Sequence, residues 1–249
     1  FSSLQIGSMA CLTKVEAPSF FACGDFNQRI TTEGVRSLSQ VQWAVDGVND
    51  KSITTVYRQS EKLNEFSKAL LKTMGGDMDA AGQLPKNYNH QGFPPALVEG
   101  LDEMEAIAQW LFSRIKEVLK VSEKPGHKRP TIAVLVNGEN EVKPFAEVLD
   151  GYLEDISIKA SACVEGKVLG EGDDVRVFDI QHIKGLEFEG VFFVGLDDTI
   201  QMLPDLYSKY LYVGATRAAT YLGVTFSGDV PKAFQSLDPH FIESWSNQV

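Results

Sequence analysis

Apolar residues recur along this chain in two patterns, and the patterns alternate from one segment to the next. Short apolar runs rich in β-branched and aromatic residues are typical of strands covered on both faces, as in a parallel sheet. Such runs predict strands at Pro18–Gly24, Ile53–Arg58, Thr131–Val136, Ser157–Val164, Val175–Ile180 and Gly190–Leu196, and a further apolar run is Tyr221–Phe226. Because helical patterns lie between several runs, we expect an α/β fold with a parallel sheet flanked by helices.

The helical segments have apolar residues at spacings of three and four. The clearest of them forms one apolar face from Leu101, Met104, Ile107, Ala108, Leu111, Phe112, Ile115, Val118 and Leu119. Further helices are predicted at Lys62–Met74, at Glu139–Gly151 and in the stretch that ends at Ala218. Residues 75–96 are rich in Gly, Pro, Asn and Asp, which indicates a long loop.

The most informative segment is Val175–Leu196, in which two predicted buried strands are joined by the turn Lys184–Phe188. Open parallel sheets bind their ligands beyond the carboxyl ends of the strands, and the polar residues of this turn fall at such an end. A nucleotide site is one interpretation. A solvated turn with a chance Lys-Gly-Leu-Glu sequence is the other, and this segment alone does not decide between them.

Composition limits the class of protein. The chain has 249 residues with ordinary apolar and charged fractions, so a folded domain is expected rather than disorder. No apolar stretch is long enough to span a membrane. Three cysteines without metal-ligand spacing indicate reduced thiols in a cytoplasmic protein, and Cys23 is expected to pack within a buried strand.

The formal net charge of −11 argues against strong DNA binding by this chain alone, because contacts to phosphates supply most sequence-independent affinity. Basic residues cluster at Lys116, Lys120, Lys124, Lys128 and Arg129. Cations near a helix C-terminus and in a solvated loop explain this cluster, and we prefer that interpretation. A nucleic-acid contact is the alternative.

Four short motifs share one order with a known family. They are Gly24–Gln28 (GDFNQ), Val56–Ser60 (VYRQS), Lys184–Phe188 (KGLEF) and Leu211–Ala218 (LYVGATRA). In this order they resemble the GDxxQ, NYRS and paired C-terminal motifs of UvrD-like superfamily 1 DNA helicases. The resemblance covers nearly the whole chain and implies a RecA-like, P-loop NTPase-type fold.

The resemblance also implies a domain organisation. The sequence contains no phosphate-binding G-x-x-x-x-G-K-[ST] loop, and no acidic DExx motif precedes Gly24. We therefore expect a C-terminal piece of a longer protein, with residues 1–50 as the remnant of a first RecA-like domain and residues 51–249 as the second. The interval between VYRQS and KGLEF leaves no room for the large helical insertion that many family members carry, which places duplex unwinding in doubt.

The chemistry implied is ATP hydrolysis with Mg²⁺ at the interface of the two RecA-like domains, coupled to movement along single-stranded DNA. By resemblance, Arg58 contacts the γ-phosphate, Arg217 is the arginine finger, and Gln28 senses the γ-phosphate and its attacking water. Phosphoryl transfer requires concentrated positive charge at that phosphate. The alternatives are structural ion pairs for the arginines and an ordinary loop position for Gln28.

The resemblance assigns four more residues to nucleotide binding. Tyr57 stacks on the adenine, Glu187 accepts a hydrogen bond from the ribose, Gly185 lets the backbone approach, and Asp25 belongs to the GDxxQ motif. A core position for Tyr57 and a solvated carboxylate for Glu187 are the alternatives. The Mg²⁺ ligands are expected outside this chain, and no metal site is predicted within it.

Departures from the family pattern lie mostly on the DNA side. Where the family reads T-x-H-x-x-K-G-L-E-F, this chain has Asp179 and Gln181, and His182 lies one position later. An aspartate would repel a phosphodiester, so only His182 is retained as a candidate DNA contact. The aromatic residue expected after GDxxQ is missing, and Trp43 further on fits a core position.

The predicted function is the C-terminal motor domain of an ATP-dependent DNA helicase or translocase. The main alternative is a degenerate, non-hydrolysing binding module. A Rossmann-like enzyme is disfavoured because the chain lacks G-x-G-x-x-G.

Overall fold

The computed structural model describes residues 1–13, 19–29, 33–76, 78–122, 128–197 and 206–246. The chain divides into two compact units, Phe1–Ile53 and Thr54–Val249. This division lies close to the boundary predicted between residues 50 and 51. The assignment of the first unit to an earlier motor domain stays a prediction.

The first unit contains two short helices, α1 (Ser3–Cys11) and α2 (Leu38–Ala44). Helix α1 begins at a capping box, in which the Ser2 hydroxyl accepts from the Gln5 N–H and the Gln5 side chain accepts from the Ser2 N–H. A single 3₁₀ turn, Phe26–Gln28, lies between the helices. Trp43 is 82% exposed, so the predicted core position for this residue is wrong.

The second unit is built on one sheet of six strands: β1 (Ala96–Val98), β2 (Ile132–Val136), β3 (Ala160–Ala162), β4 (Val175–Asp179), β5 (Phe188–Phe193) and β6 (Ala218–Thr225). Their order is β1-β6-β5-β2-β4-β3, and all of these strand pairs are parallel. Strand β2 is buried along its whole length between β4 and β5. The continuous apolar runs of the sequence are therefore explained by a sheet that is covered on both faces.

The helices that cover the sheet include α3 (Glu61–Thr73), α4 (Met104–Ser122), α5 (Glu139–Leu153) and α6 (Tyr207–Arg217). Side chains of α4 and α5 share one core with Val134 of β2. The next residue, Leu135, points to the other face, where its Cδ1 lies 3.4 Å from the position of a Cβ at Gly214 in α6. Helices thus lie on both faces, and the predicted α/β class is confirmed.

Two predicted strands are wrong. Residues 19–24 have no strand conformation, and Cys23 is exposed rather than buried. Segment Ile53–Arg58 forms a single parallel bridge, Thr55 to Gln83, and Ile53 is exposed. A β-branched, apolar run becomes a strand only where a neighbouring strand supplies a hydrogen-bonded ladder, and neither segment has one within its own unit's described residues.

The predicted loop at 75–96 is also more ordered than expected. It contains a 3₁₀ turn at Met78–Ala81, and β1 begins at Ala96. Strand β1 is only three residues long, too short for a hydrophobic period to reveal it. Gly75, with φ 67°, follows the C-terminal end of α3 and adopts the left-handed conformation that glycine tolerates best.

Candidate nucleotide site

Segment Tyr57–Ser60 is held against the C-terminal end of α6. The Ser60 N–H donates to the Ala219 carbonyl oxygen at 2.7 Å. The Gln59 side-chain nitrogen donates to the Ala215 carbonyl oxygen at 3.0 Å. The arginine of VYRQS and the arginine of LYVGATRA are therefore carried by two backbone segments that are directly hydrogen-bonded to each other.

Tyr88 also contacts the same segment. Its hydroxyl lies 2.9 Å from the Gln59 carbonyl oxygen and 3.3 Å from the Tyr57 carbonyl oxygen, and it donates to them. Burial raises the pKa of Tyr88 above its ordinary value, so the phenol keeps its proton at neutral pH. The segment that carries Arg58 is thus held by hydrogen bonds both from Tyr88 and to residues 215 and 219.

The Arg58 side chain connects its own motif, VYRQS, with KGLEF and LYVGATRA. Its Nη2 forms an ion pair with the Glu187 carboxylate. Its Nη1 donates to the Thr216 carbonyl oxygen at 3.4 Å. The side chains of Arg58 and Glu187 are 35% and 55% exposed, so the pair lies at the surface and is accessible to a ligand.

Arg217 is the last residue of α6 and is only 6% exposed. Its Nη1 donates to the Leu186 carbonyl oxygen at 3.4 Å, directly beside Glu187. The loop between β4 and β5 therefore lies next to both candidate arginines. Leu186 and Arg217 are far apart in sequence and become neighbours because β5 and β6 pair in parallel.

Tyr57 and Gly185 are the other predicted nucleotide contacts of the second unit. Tyr57 is 74% exposed, which excludes the alternative of a core position. Gly185 has φ 88°, and a Cβ built there would meet no atom within 4 Å. At this position glycine is needed for the backbone conformation and not for lack of space.

Gln28 and Asp25 lie in the first unit and form a small cluster of their own. Asp25 caps the 3₁₀ turn by accepting from the Asn27 N–H at 2.8 Å. Its second oxygen accepts from the Gln28 side-chain nitrogen at 2.9 Å. Asp25 therefore orients the Gln28 carboxamide.

Asp179 and His182, which the sequence comparison places near the expected DNA side, both have partners within this unit. Asp179 ends β4, is 4% exposed and accepts from the Gln181 N–H at 3.0 Å. His182 Nδ1 lies 3.1 Å from the Glu139 carboxylate. Burial, with a smaller effect from the Glu139 carboxylate, raises the pKa of Asp179, although the Gln181 N–H and His182 act in the opposite direction.

Glu139, Asp179 and His182 are also the residues that could hold a cation. One ligand atom from each lies within 4.8 Å of the others. Two carboxylates and an imidazole are a ligand set that divalent metals accept. The sequence predicts no metal site here, because the glutamate is 40 residues or more from the other two ligands.

Most of the basic cluster is solvated. Lys116, Lys120, Lys128 and Arg129 are exposed, and the Lys116 ammonium lies 5.0 Å from the centre of the Phe112 ring. Lys124 lies outside the described residues. These positions agree with the preferred interpretation of the cluster as surface charge.

Sequence reasoning missed Gln59 and Tyr88, which position the Arg58 segment. A glutamine before a predicted helix and a tyrosine in a polar segment carry no periodic signal. Only the contact between α6 and segment 57–60 gives them a role.

The fold and the site together define a class: an α/β domain with a parallel sheet, in which two arginines and a glutamate from separate motifs meet at the amino-terminal ends of β5 and β6. Residues 174–225 match the family model of the UvrD-like helicase C-terminal domain. This match confirms the resemblance found in the sequence and includes both KGLEF and LYVGATRA. The motifs GDFNQ and VYRQS lie outside the matched range.

A solved structure described as the C-terminal domain of a possible DNA helicase from Lactobacillus plantarum WCFS1 is similar to this chain. It has 17% sequence identity and a TM-score of 0.54, and the match covers 74% of this chain and 96% of that chain. At this identity the likeness shows the fold. No curated protein matches the chain. Within the described residues, every helix is too short or too polar to cross a membrane.

Proposed function

We propose that this chain provides the second motor domain of an ATP-dependent DNA helicase or translocase. In the complete protein, ATP and Mg²⁺ bind between this domain and a first RecA-like domain, which supplies the phosphate loop and the Mg²⁺ ligands. The observation that carries the proposal is the convergence of Arg58, Arg217 and Glu187 at the amino-terminal ends of β5 and β6, with Arg58 bonded to Glu187 and to the Thr216 carbonyl oxygen.

The proposed chemistry requires positive charge where negative charge develops. In phosphoryl transfer, charge spreads over the oxygens of the transferred group, and arginines from a second domain stabilise it. Arg58 and Arg217 would supply that charge. Because Arg58 is ion-paired with Glu187, the γ-phosphate must compete with that carboxylate, and Glu187 is released to accept from the ribose hydroxyl.

The remaining residues have supporting roles in the proposal. The exposed Tyr57 ring offers a flat apolar face for the adenine. Gln28, held by Asp25, can both donate and accept, as a group that senses the γ-phosphate and its attacking water must. Single-stranded DNA is the proposed track. This chain contributes little to its affinity, because the net charge is −11 and Asp179 replaces a neutral contact.

The experiment compares the complete protein with the isolated chain. We expect ATP turnover by the complete protein that increases when single-stranded DNA is added, and no turnover by the isolated chain. We also expect the isolated chain to bind single-stranded DNA weakly and with steep salt dependence. Nucleotide binding by the complete protein without turnover would favour the non-hydrolysing module instead. Turnover by the isolated chain would refute the proposal that a first RecA-like domain supplies the phosphate loop and the Mg²⁺ ligands.

A further inference from the structure

Gln59 is a buried glutamine that stands directly after Arg58. It is 3% exposed, although a glutamine in a loop before a helix is ordinarily solvated. Its side-chain nitrogen donates to the Ala215 carbonyl oxygen at 3.0 Å and to the Ser67 hydroxyl at 3.2 Å. Its side-chain oxygen lies 3.4 Å from the same hydroxyl. Both ends of the carboxamide therefore have partners.

The bond to Ala215 falls at a particular point of α6. Ala215 lies two residues before Arg217, within the last turn, and its carbonyl oxygen also accepts from the N–H of the cap residue Ala218. On the other side of Arg217, the Ala219 carbonyl oxygen accepts from the Ser60 N–H. Two hydrogen bonds from consecutive residues, Gln59 and Ser60, therefore bracket Arg217 and fix it relative to Arg58.

We infer that Gln59 is a positioning residue for the arginine pair, setting the distance and orientation of Arg58 and Arg217 toward the γ-phosphate. The inference rests on the proposed function. Transition-state stabilisation by charged groups is sensitive to position, and a shift of about 1 Å can lower the rate by roughly a hundredfold. Loss of the Gln59 carboxamide removes the shorter of the two side-chain bonds between the segments, and leaves the backbone bond from Ser60 and the 3.4 Å bond from Arg58 Nη1 to the Thr216 carbonyl oxygen.

The chain offers a matched control in Asn64. It is 2% exposed, and its side-chain nitrogen donates to the Ala81 carbonyl oxygen at 3.1 Å. Asn64 thus also uses a buried carboxamide to tether a distant backbone segment within the same unit. The segment that it holds, the 3₁₀ turn Met78–Ala81, contains no candidate site residue. The Gln59 and Asn64 side chains therefore make the same kind of bond, from a carboxamide nitrogen to a carbonyl oxygen, and differ in the backbone segment that they hold.

The experiment measures ATP turnover and melting temperature for Gln59→Ala and Asn64→Ala in the complete protein. We expect both variants to melt earlier by similar amounts. We expect kcat to fall by roughly tenfold to a hundredfold in Gln59→Ala alone, with KM for ATP within about twofold of the unmodified protein. Equal kcat values for the two variants, measured where both are folded, would overturn the inference.

Two further variants keep the outcome interpretable. Gln59→Glu retains the length of the side chain but loses the donor to Ala215, so it should also lower kcat, and it replaces Gln59→Ala if that variant does not fold. Arg217→Ala distinguishes a failure of the proposed function from a failure of the role of Gln59. If Arg217→Ala keeps full turnover, the proposed function fails; if it loses turnover while both Gln59 variants keep it, only the role of Gln59 fails. A complete protein without ATP turnover would overturn both.

Discussion

Replacement of Arg217 by alanine tests the enzymatic assignment most directly. An arginine finger contributes about a thousandfold or more to turnover. Three powers of ten in rate correspond to about 4 kcal/mol of transition-state stabilisation. Because this stabilisation exists only while charge develops at the γ-phosphate, Arg217→Ala should lower kcat by about a thousandfold in the complete protein and leave ATP affinity nearly unchanged.

The structure also sets the expected cost in stability. Arg217 is 6% exposed, so alanine removes buried methylene groups that contribute roughly 2 kcal/mol in total. The bond from Nη1 to the Leu186 carbonyl oxygen is long, 3.4 Å, and adds about 1 kcal/mol. Relief from burying the charge offsets part of this loss. For a domain of about 150–250 residues, a net loss of about 2 kcal/mol lowers the melting temperature by roughly 4–8 °C.

Turnover, ATP affinity and melting temperature should therefore be measured on the same preparation. Arg176→Ala is the matched control, because this arginine donates to the carbonyl oxygens of Leu169 and Glu171 and lies in none of the four motifs. It should change turnover by less than about twofold after correction for folded protein. An Arg217→Ala variant that melts early but keeps its turnover per folded molecule would show that Arg217 is structural.

Three further predictions concern the fold and the charges around the site. Gly223→Ala should destabilise the protein by about 1–3 kcal/mol in denaturant unfolding, because its Cβ would lie 2.4 Å from the buried Phe192 ring, whereas Gly214→Ala meets ordinary contacts and should be neutral or stabilising. Since burial raises the pKa of Asp179, its carboxylate opposes folding above that pKa, and Asp179→Asn should raise the melting temperature at pH 7, by an amount that disappears as the pH falls below the ordinary aspartate value. Equal melting temperatures at pH 7 would contradict that reasoning. Glu187→Gln removes an exposed ion pair and should change the free energy of unfolding by no more than about 1 kcal/mol, while ATP affinity falls; a larger loss of stability would assign Glu187 a structural role.

The sheet was predictable from sequence where burial was complete. Strands β2, β4 and β5 are buried on both faces, and their apolar runs are long enough to stand out. Strand β1 has three residues, and no period can be recognised over that length. Strand β1 was missed, whereas at Ile53–Arg58 a strand was predicted and only a single bridge is present. The β-branched composition of that segment predicts a strand, but strand formation depends on a neighbouring ladder that composition does not reveal.

The sequence motifs proposed residues for the candidate site but did not reveal the contacts among them. The motifs identified Arg58, Arg217 and Glu187 individually. Nothing in the sequence indicated that Arg58 pairs with Glu187, because the two residues are brought together by the packing of segment 57–60 against the end of α6. The same packing buries Gln59, whose role depends entirely on a contact across 156 positions of sequence.

The Arg58 and Glu187 pair has a consequence for how this domain would bind ATP. A phosphate that approaches Arg58 must displace a carboxylate that already bonds to it, so the attraction of the arginine is partly offset by the loss of an existing ion pair. An exposed pair of this kind contributes at most about 1 kcal/mol, which a γ-phosphate carrying more negative charge than a carboxylate can exceed. Arg58 alone would therefore hold ATP weakly. Under the proposed function, tight binding would need the phosphate contacts of a first RecA-like domain, and occupancy of the Arg58 site would then depend on whether the two motor domains have closed.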